Sequence, residues 1–268
     1  MKPLSATELS QTVDKVPEPV LTWLGPGQRI ELSGPVARRW IAKTDNFLAS
    51  ELPYGGERFS VLLPNHWRLP FWLAVPWLRG MTLVSPGEAV DIDLVVSNDL
   101  GFLQGVRDEG GPDTLVAQSL DSMNTSWGPD LPPEFLDGMA DVATFGDYVE
   151  DPTDAPQGAR LVADNIEWVA PNLWEQTDQQ NLPIESLRGL TYLGTVKDTR
   201  AGQVLSPSHL PEKLEGARVL VRTGNPVLFA AQLVQLWLAG AKVIWAPGET
   251  VRERIDQEKP DLELLPLS

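Results

Sequence analysis

Few side chains in this sequence could do chemistry by themselves. His66 and His209 are the only histidines, and there is no cysteine, which excludes disulfides, thiolate metal sites and a cysteine nucleophile. One imidazole with carboxylates can bind a metal, but no two histidines stand at ligand spacing, and we interpret Asp91-x-Asp93 as the start of a strand. We expect His66, beside Asn65 at a helix start, to have a capping or surface role. The sequence thus predicts no catalytic residue and no metal site.

Familiar catalytic and phosphate-binding motifs are absent as well. The sequence contains no Gly-x-Ser-x-Gly, Gly-x-x-x-x-Gly-Lys or Gly-x-Gly-x-x-Gly. Among the ten tryptophans, Trp40, Trp77 and Trp237 fall at core-facing spacing. Three others lie in irregular segments, where they either fill the interior or anchor a ligand or partner: Trp127, Trp168 and Trp174.

The charge of the chain is strongly negative and unevenly distributed. The net charge is −16, and residues 108–159 hold 12 acidic side chains with no lysine or arginine. Nucleic acids and anionic membranes bind through lysine and arginine, so we expect neither as a partner. The acidic stretch serves either solubility or the docking of a basic protein.

The sequence pattern of the elements that must position any site occurs twice in the chain. Asn65 and Asn225 lie 160 residues apart, and each follows an apolar run and precedes a helical pattern that ends at a glycine, Gly80 or Gly240. A short apolar run and Pro-Gly-Glu follow in both copies. A repeat of this size indicates that one supersecondary unit is used twice.

Local signals place the individual elements. Ser5-x-x-Glu8 is a capping box, and Ser33 with Pro35 begins a second helix. Turn and apolar patterns predict the remaining elements: a hairpin of 20–23 and 29–32 around Gly25-Pro26-Gly27, strands at 59–63, 81–84, 92–96, 114–117, 160–163, 218–222, 242–245 and 261–265, and helices at 7–15, 65–78, 133–139, 206–214, 226–240 and 249–258.

These patterns predict an α/β fold in which two repeated lobes contain mostly parallel sheets flanked by helices. We expect a single domain with lobe one at 1–105, an irregular acidic segment at 106–184 and lobe two at 185–268. The N-terminus lacks a signal-peptide pattern, and the longest apolar run is shorter than the roughly 20 residues of a membrane span. The sequence therefore predicts a soluble, cytoplasmic protein.

The residues also carry a family resemblance. Glu31-Leu32-Ser33, Trp40 to Lys43, Phe59 to Asn65, His66-Trp67 and Gly80 resemble the start of the adenylate-forming, or AMP-binding, superfamily. That superfamily includes acyl-CoA synthetases, luciferases and peptide-synthetase adenylation domains. The sequence is most similar to an uncharacterised bacterial set of short, truncated relatives, and the resemblance covers residues 20–100 and 190–265. It implies the fold of the superfamily's large N-terminal domain.

The resemblance places a nucleotide-binding loop at residues 191–210. Full-length members carry there a loop rich in Ser, Thr and Gly that ends in Pro-Lys-Gly. Gly194, Thr195 and Gly202 match as remnants, but no lysine stands immediately before Gly202. A phosphate cradle needs successive free N–H groups and a nearby cation, and Asp198 puts a negative charge inside it. We interpret the loop as a degenerate nucleotide site.

Two functions follow from the resemblance. The first is a catalytically degenerate, truncated relative that acts as a binding or regulatory module, with a protein partner or as a homo-oligomer. The second is a carboxylate-activating half-enzyme that uses ATP or AMP with Mg²⁺ and takes the missing C-terminal lid from a partner chain. The later motifs of full-length members, including the magnesium ligand and the catalytic lysine, have no match in the sequence.

Overall fold

Two larger β-sheets organise the protein, and both are built mainly from parallel strands. The structure is a computed structural model that describes residues 2–52, 56–84, 91–121, 124–150, 160–163, 166–169, 175–176, 195–205, 214–248 and 252–265. The helices are α1 (Ala6–Val13), α2 (Gly34–Glu51), α3 (Leu69–Leu78), α4 (Leu100–Asp108), α5 (Ala140–Ala143), α6 (Pro226–Leu238) and α7 (Arg252–Gln257). The strands are β1 (Lys2–Pro3), β2 (Leu21–Gly25), β3 (Gln28–Leu32), β4 (Arg58–Leu62), β5 (Thr82–Leu83), β6 (Leu94–Ser97), β7 (Thr114–Ala117), β8 (Leu136–Asp137), β9 (Arg160–Ala163), β10 (Ile166–Val169), β11 (Glu175–Gln176), β12 (Thr195–Asp198), β13 (Arg218–Val221), β14 (Lys242–Trp245) and β15 (Leu262–Leu265).

The first sheet has the strand order β5-β4-β6-β7-β8, and each neighbouring pair is parallel. β5 and β6 pair with opposite sides of β4, and Leu83 at the end of β5 and Leu94 at the start of β6 both pair with Phe59. The two ends are therefore level along β4, and a short link can connect them. Strands β6 and β7 are buried at every residue, as expected for a parallel sheet covered on both faces.

The second sheet has the strand order β12-β15-β13-β14-β2-β3. Its centre is parallel, and the antiparallel pairs β12–β15 and β2–β3 lie at its two ends. The predicted hairpin of β2 and β3 is confirmed, and β2 joins β14. The second sheet therefore takes two strands from residues 1–105, so both sheets contain strands from the first part of the chain.

A single large hydrophobic core connects both sheets with the helices α1, α2, α3 and α6. All ten residues of α3 and ten residues of α6 are buried. A helix that is apolar on every side belongs in an interior, and the rings of Phe71 in α3 and Trp237 in α6 lie 6.4 Å apart. The equivalent helices of the two repeats therefore pack against each other.

Most local signals are confirmed, and three are corrected. The Ser5–Glu8 capping box forms as predicted, and Gly80 and Gly240 adopt positive φ after their helices. The helix predicted from Asn65 begins only at Leu69. The helix predicted at 133–139 is wrong, because the segment holds the short strand β8, and α4 was not predicted at all. The predicted helix at 206–214 lies outside the described residues except for Leu214.

Asp99 caps the start of helix α4: its carboxylate accepts hydrogen bonds from the backbone N–H groups of Gly101 and Phe102 at 2.8 and 3.1 Å. Its two internal glycines weaken the helical signal of the sequence. None of the described helices is long and apolar enough to span a membrane.

Candidate functional site

The segment that resembles a nucleotide loop forms a β-hairpin at the edge of the second sheet. Thr195 is the exposed first residue of β12, and Lys197 in that strand forms an antiparallel bridge with Val204. Gly202 lies in the exposed turn with φ +68°, a value that glycine adopts readily. Gly194 lies outside the described residues. Thr195 and Gly202 therefore belong to one hairpin.

Asp198 organises the tip of this hairpin. Its carboxylate Oδ1 accepts hydrogen bonds from the N–H groups of Arg200 and Ala201 at 2.9 and 2.8 Å. Its carbonyl oxygen accepts a third from the N–H of Gly202 at 2.9 Å. Aspartate commonly stabilises turns in this way. Three successive N–H groups at the tip are therefore bound to Asp198 itself.

The hairpin is also fastened to the turn before β15. The Thr199 hydroxyl donates to the carbonyl oxygens of Pro260 and Asp261 at 2.6 and 2.9 Å. Arg200, the cation two residues before Gly202, donates to the Asp261 carboxylate at 3.0 Å. No local pattern in the sequence indicates these contacts, because residues 199–200 and 260–261 are separated by about 60 positions.

The described residues of the hairpin do not fit a nucleotide phosphate. A phosphate cradle requires free backbone N–H groups and a cation directed toward them. Here the N–H groups of residues 200–202 bind oxygen atoms of Asp198, and Arg200 is paired with Asp261. Within the described part of the chain, no group of three or more His, Asp or Glu side chains could hold a metal ion.

Each of the two repeated asparagines follows a strand, one in each sheet, and the first of them contacts the other repeat. Asn65 follows β4, and its side-chain amide donates to the carbonyl oxygen of Gly224, which follows β13, at 3.0 Å. Asn225 caps α6, since its Oδ1 accepts from the N–H groups of Val227 and Leu228 at 3.0 Å each. Ligands of open α/β sheets bind at this carboxyl edge. In this protein, Asn65 joins the edges of the two repeats, whereas Asn225 caps its own helix.

His66 lies in the interior of this junction. It is only 5% exposed, so of the predicted capping or surface role the surface alternative is wrong. Its ring packs edge-on against Trp23 at 4.7 Å, and Nδ1 accepts a weak hydrogen bond from the N–H of Arg68 at 3.4 Å. Burial, with the nearby positive charge of Arg68, lowers the pKa of His66 to about 4. His66 is therefore neutral at neutral pH.

Arg68 is the buried cation of the same loop, and the sequence analysis missed it. Its guanidinium lies 4.7 Å from the centre of the Trp67 ring and 5.9 Å from that of Trp40, and it donates to the carbonyl oxygen of Ser119. Burial lowers the pKa of Arg68 to about 10. Aromatic faces substitute for part of the lost hydration. The Trp-Arg pair before an apolar helix was the available signal.

Comparison with known sequences gives a partial relative. No family model matches the chain. An 81-residue part of the chain is 35% identical to the TIGR03089 family protein of Mycobacterium tuberculosis (strain ATCC 25618 / H37Rv). The match covers 30% of this chain and 33% of that protein.

Comparison with solved structures extends over nearly the whole chain. Coronafacic acid ligase from Pectobacterium brasiliense, in a mutant form, superposes with a TM-score of 0.56 at 11% identity over 96% of this chain and 49% of its own. The acyl-CoA synthetase of Brucella canis gives 0.54 at 15% identity over 96% and 46%. A mutant of the amide bond synthetase McbA from Marinactinospora thermotolerans gives 0.58 at 12% identity over 96% and 47%.

The chain thus spans a third of the matched relative and about half of each of these enzymes. At such low identity the likeness shows the fold alone. The predicted fold class is confirmed: the chain has the α/β architecture of the N-terminal domain of adenylate-forming, acyl-CoA synthetase-like enzymes.

Proposed function

We propose that this chain is a binding or regulatory module on the fold of adenylate-forming enzymes, and that it does not itself activate a carboxylic acid with ATP. The observation that carries the proposal is the position of Asp198. Its carboxylate and carbonyl bind the N–H groups of residues 200–202, at the place where the family resemblance puts the phosphate loop.

Charge and hydrogen bonding both oppose a phosphate at this tip. A phosphate that approached the N–H groups of Arg200 and Ala201 would first have to displace the Asp198 carboxylate. Each hydrogen bond contributes about 1 kcal/mol to stability, and a displaced carboxylate would still repel the phosphate at short range. The loop therefore favours its own aspartate over an external anion.

A second function has support from the structural comparisons. The superposed enzymes are a ligase and two synthetases, and about half of each is matched by this chain. In this alternative the chain is a carboxylate-activating half-enzyme that uses ATP with Mg²⁺, and another polypeptide supplies the lid. Restored pyrophosphate exchange on addition of a co-purified lid-like protein would favour this function.

The variant Asp198→Ala tests the proposal at the carrying residue. Removal of the carboxylate leaves two N–H groups without their acceptor and eliminates one negative charge. We therefore expect ATP to shift the backbone amide resonances of residues 200–202 in the variant, with a Kd of about 1 mM, which corresponds to a binding free energy of roughly 4 kcal/mol. The same resonances of the unsubstituted protein should not move.

Asp99→Ala is the matched control, because Asp99 also accepts two backbone N–H bonds, at the start of α4. It should leave the response to ATP unchanged. The proposal fails if the unsubstituted protein binds ATP through residues 200–202, or if Asp198→Ala remains as unresponsive as the control.

A further inference from the structure

A mixed-charge groove lies on the outer face of the second sheet, beside α7. Its volume is about 390 Å³, and its walls come from β12, β13, β15, α7 and the turn at Pro260. Pockets for small molecules commonly have volumes of roughly 300–1,000 Å³. We propose that this groove binds a small organic anion, with a carboxylate or phosphate group held by Lys197, Arg222 and Arg252.

Sheet register explains why the cations share one face. Lys197 and Glu263 are direct neighbours across β12 and β15, and Glu263 faces Leu220 across β15 and β13. Since side chains alternate along a strand, Arg222 extends beyond β13 on the same side as Leu220. All four residues line the groove, while Val219 and Val221 enter the central core on the other side.

The three cations differ in how strongly they are already engaged. Arg222 donates through Nε to Glu263 at 2.8 Å, and Arg252 lies 3.8 Å from the exposed carboxylate of Asp256. Lys197 forms no salt bridge with any described residue, although Glu263 is its neighbour across the strands. Lys197 and the exposed side chain of Arg252 can therefore turn toward an added anion.

The floor of the groove sets the second requirement for the ligand. Leu220 and Ile255 are 2% and 3% exposed and belong to a small apolar cluster between the sheet and α7. Apolar walls with a few converging polar groups are typical of small-molecule sites. A ligand with a short apolar part beside its anionic group matches both features. An inorganic ion would use only the charged part.

The groove is independent of the proposed function, because it uses the α7 side of the hairpin and not the N–H groups at its tip. Three cations and the two carboxylates of Asp256 and Glu263 line it, so its charge is 3 − 2 = +1 in a chain of net charge −16. The attraction of an anion to this place is local and short-ranged, since salt screens the charge of the remaining surface within about 10 Å.

NMR titration of the full chain with benzoate, phenyl phosphate and uncharged benzyl alcohol tests the proposal. We expect at least one of the two anions to shift the amide resonances of Lys197, Leu220 and Ile255 with a Kd near or below about 1 mM, and benzyl alcohol to bind at least about tenfold more weakly. The stronger of the two anions identifies the ligand as a carboxylate or a phosphate.

Lys197→Gln and Arg252→Gln should each weaken binding about tenfold, as expected for the loss of one charge-assisted hydrogen bond. Arg200→Gln is the matched control: it removes a cation from the same hairpin, but Arg200 pairs with Asp261 and does not line the groove. Absence of binding at 10 mM anion (about ten times the expected Kd), equal binding of benzyl alcohol, or equal losses in the control and the two groove variants would overturn the proposal.

Discussion

At the scale of single residues, side-chain oxygen atoms stabilise three loops by accepting hydrogen bonds from the backbone. Asp198, Asp99 and Asn225 each accept hydrogen bonds from two successive backbone N–H groups. In each case the chain supplies its own acceptor where an external anion could otherwise bind. The resemblance to a phosphate loop and the present structure of that loop therefore point to different functions.

His66 provides a test of the buried junction through pH. Its pKa is lowered to about 4 in the folded protein, from an ordinary value of 6.5. Between these pH values the unfolded chain binds the proton and the folded protein does not, so stability should fall as the pH drops from 6.5 to 4. The pKa difference corresponds to roughly 3 kcal/mol.

The measurement is denaturant unfolding across this pH window. His66→Gln removes the titrating group, and we expect a clearly shallower dependence of the unfolding free energy on pH in this variant. His209→Gln, which replaces the only other histidine, serves as the control. An unchanged slope in His66→Gln would show that the buried environment of His66 is wrongly described.

At the scale of elements, one carboxylate joins three parts of the second sheet. Glu258, which follows α7 and is 4% exposed, accepts from Arg29 of β3 at 2.5 Å and from Arg218 of β13 at 2.7 Å. These hydrogen bonds lower the pKa of Glu258, that from Arg29 most strongly. Its stabilising contribution is therefore present above the ordinary pKa of 4.5 and is lost as the pH falls below it.

Glu258→Gln should destabilise the protein by about 1–3 kcal/mol at pH 7, because it leaves the two guanidinium groups with a neutral partner. The difference from the unsubstituted protein should shrink at pH 3. Asp256→Asn is a fitting control, since its exposed pair with Arg252 should contribute less than about 1 kcal/mol. Equal effects of the two substitutions in thermal unfolding would contradict the described role of Glu258.

At this scale, the elements that the sequence predicts correctly are those determined by interactions between residues close together in the chain. Capping boxes, turn glycines and apolar runs act within a few residues, and they correctly located α1, α2, α6 and the β2–β3 hairpin. The partner of that hairpin is β14, more than 200 residues away. No local pattern specifies such a pairing. For the same reason the contacts of Arg68 and of Asp261 were not predicted.

At the scale of the whole molecule, the duplicated pattern predicted two related units but not how they share strands and core. One buried cluster contains residues of both sheets and of the helices between them. Asn65 and Gly224 connect the ends of the two repeats directly. The architecture matches about half of one ligase and two synthetases, whereas the loop chemistry supports the proposed binding without activation.

An NMR titration of the full chain with ATP and Mg²⁺, followed by a nonhydrolysable acyl-adenylate analogue, tests this account most directly. We expect neither ligand to shift the amide resonances of residues 200–202 at concentrations up to about 1 mM, because Asp198 occupies the N–H groups of the hairpin tip. Binding through residues 200–202 tighter than about 0.1 mM, or roughly 5.5 kcal/mol, would contradict the account and favour a nucleotide-using enzyme.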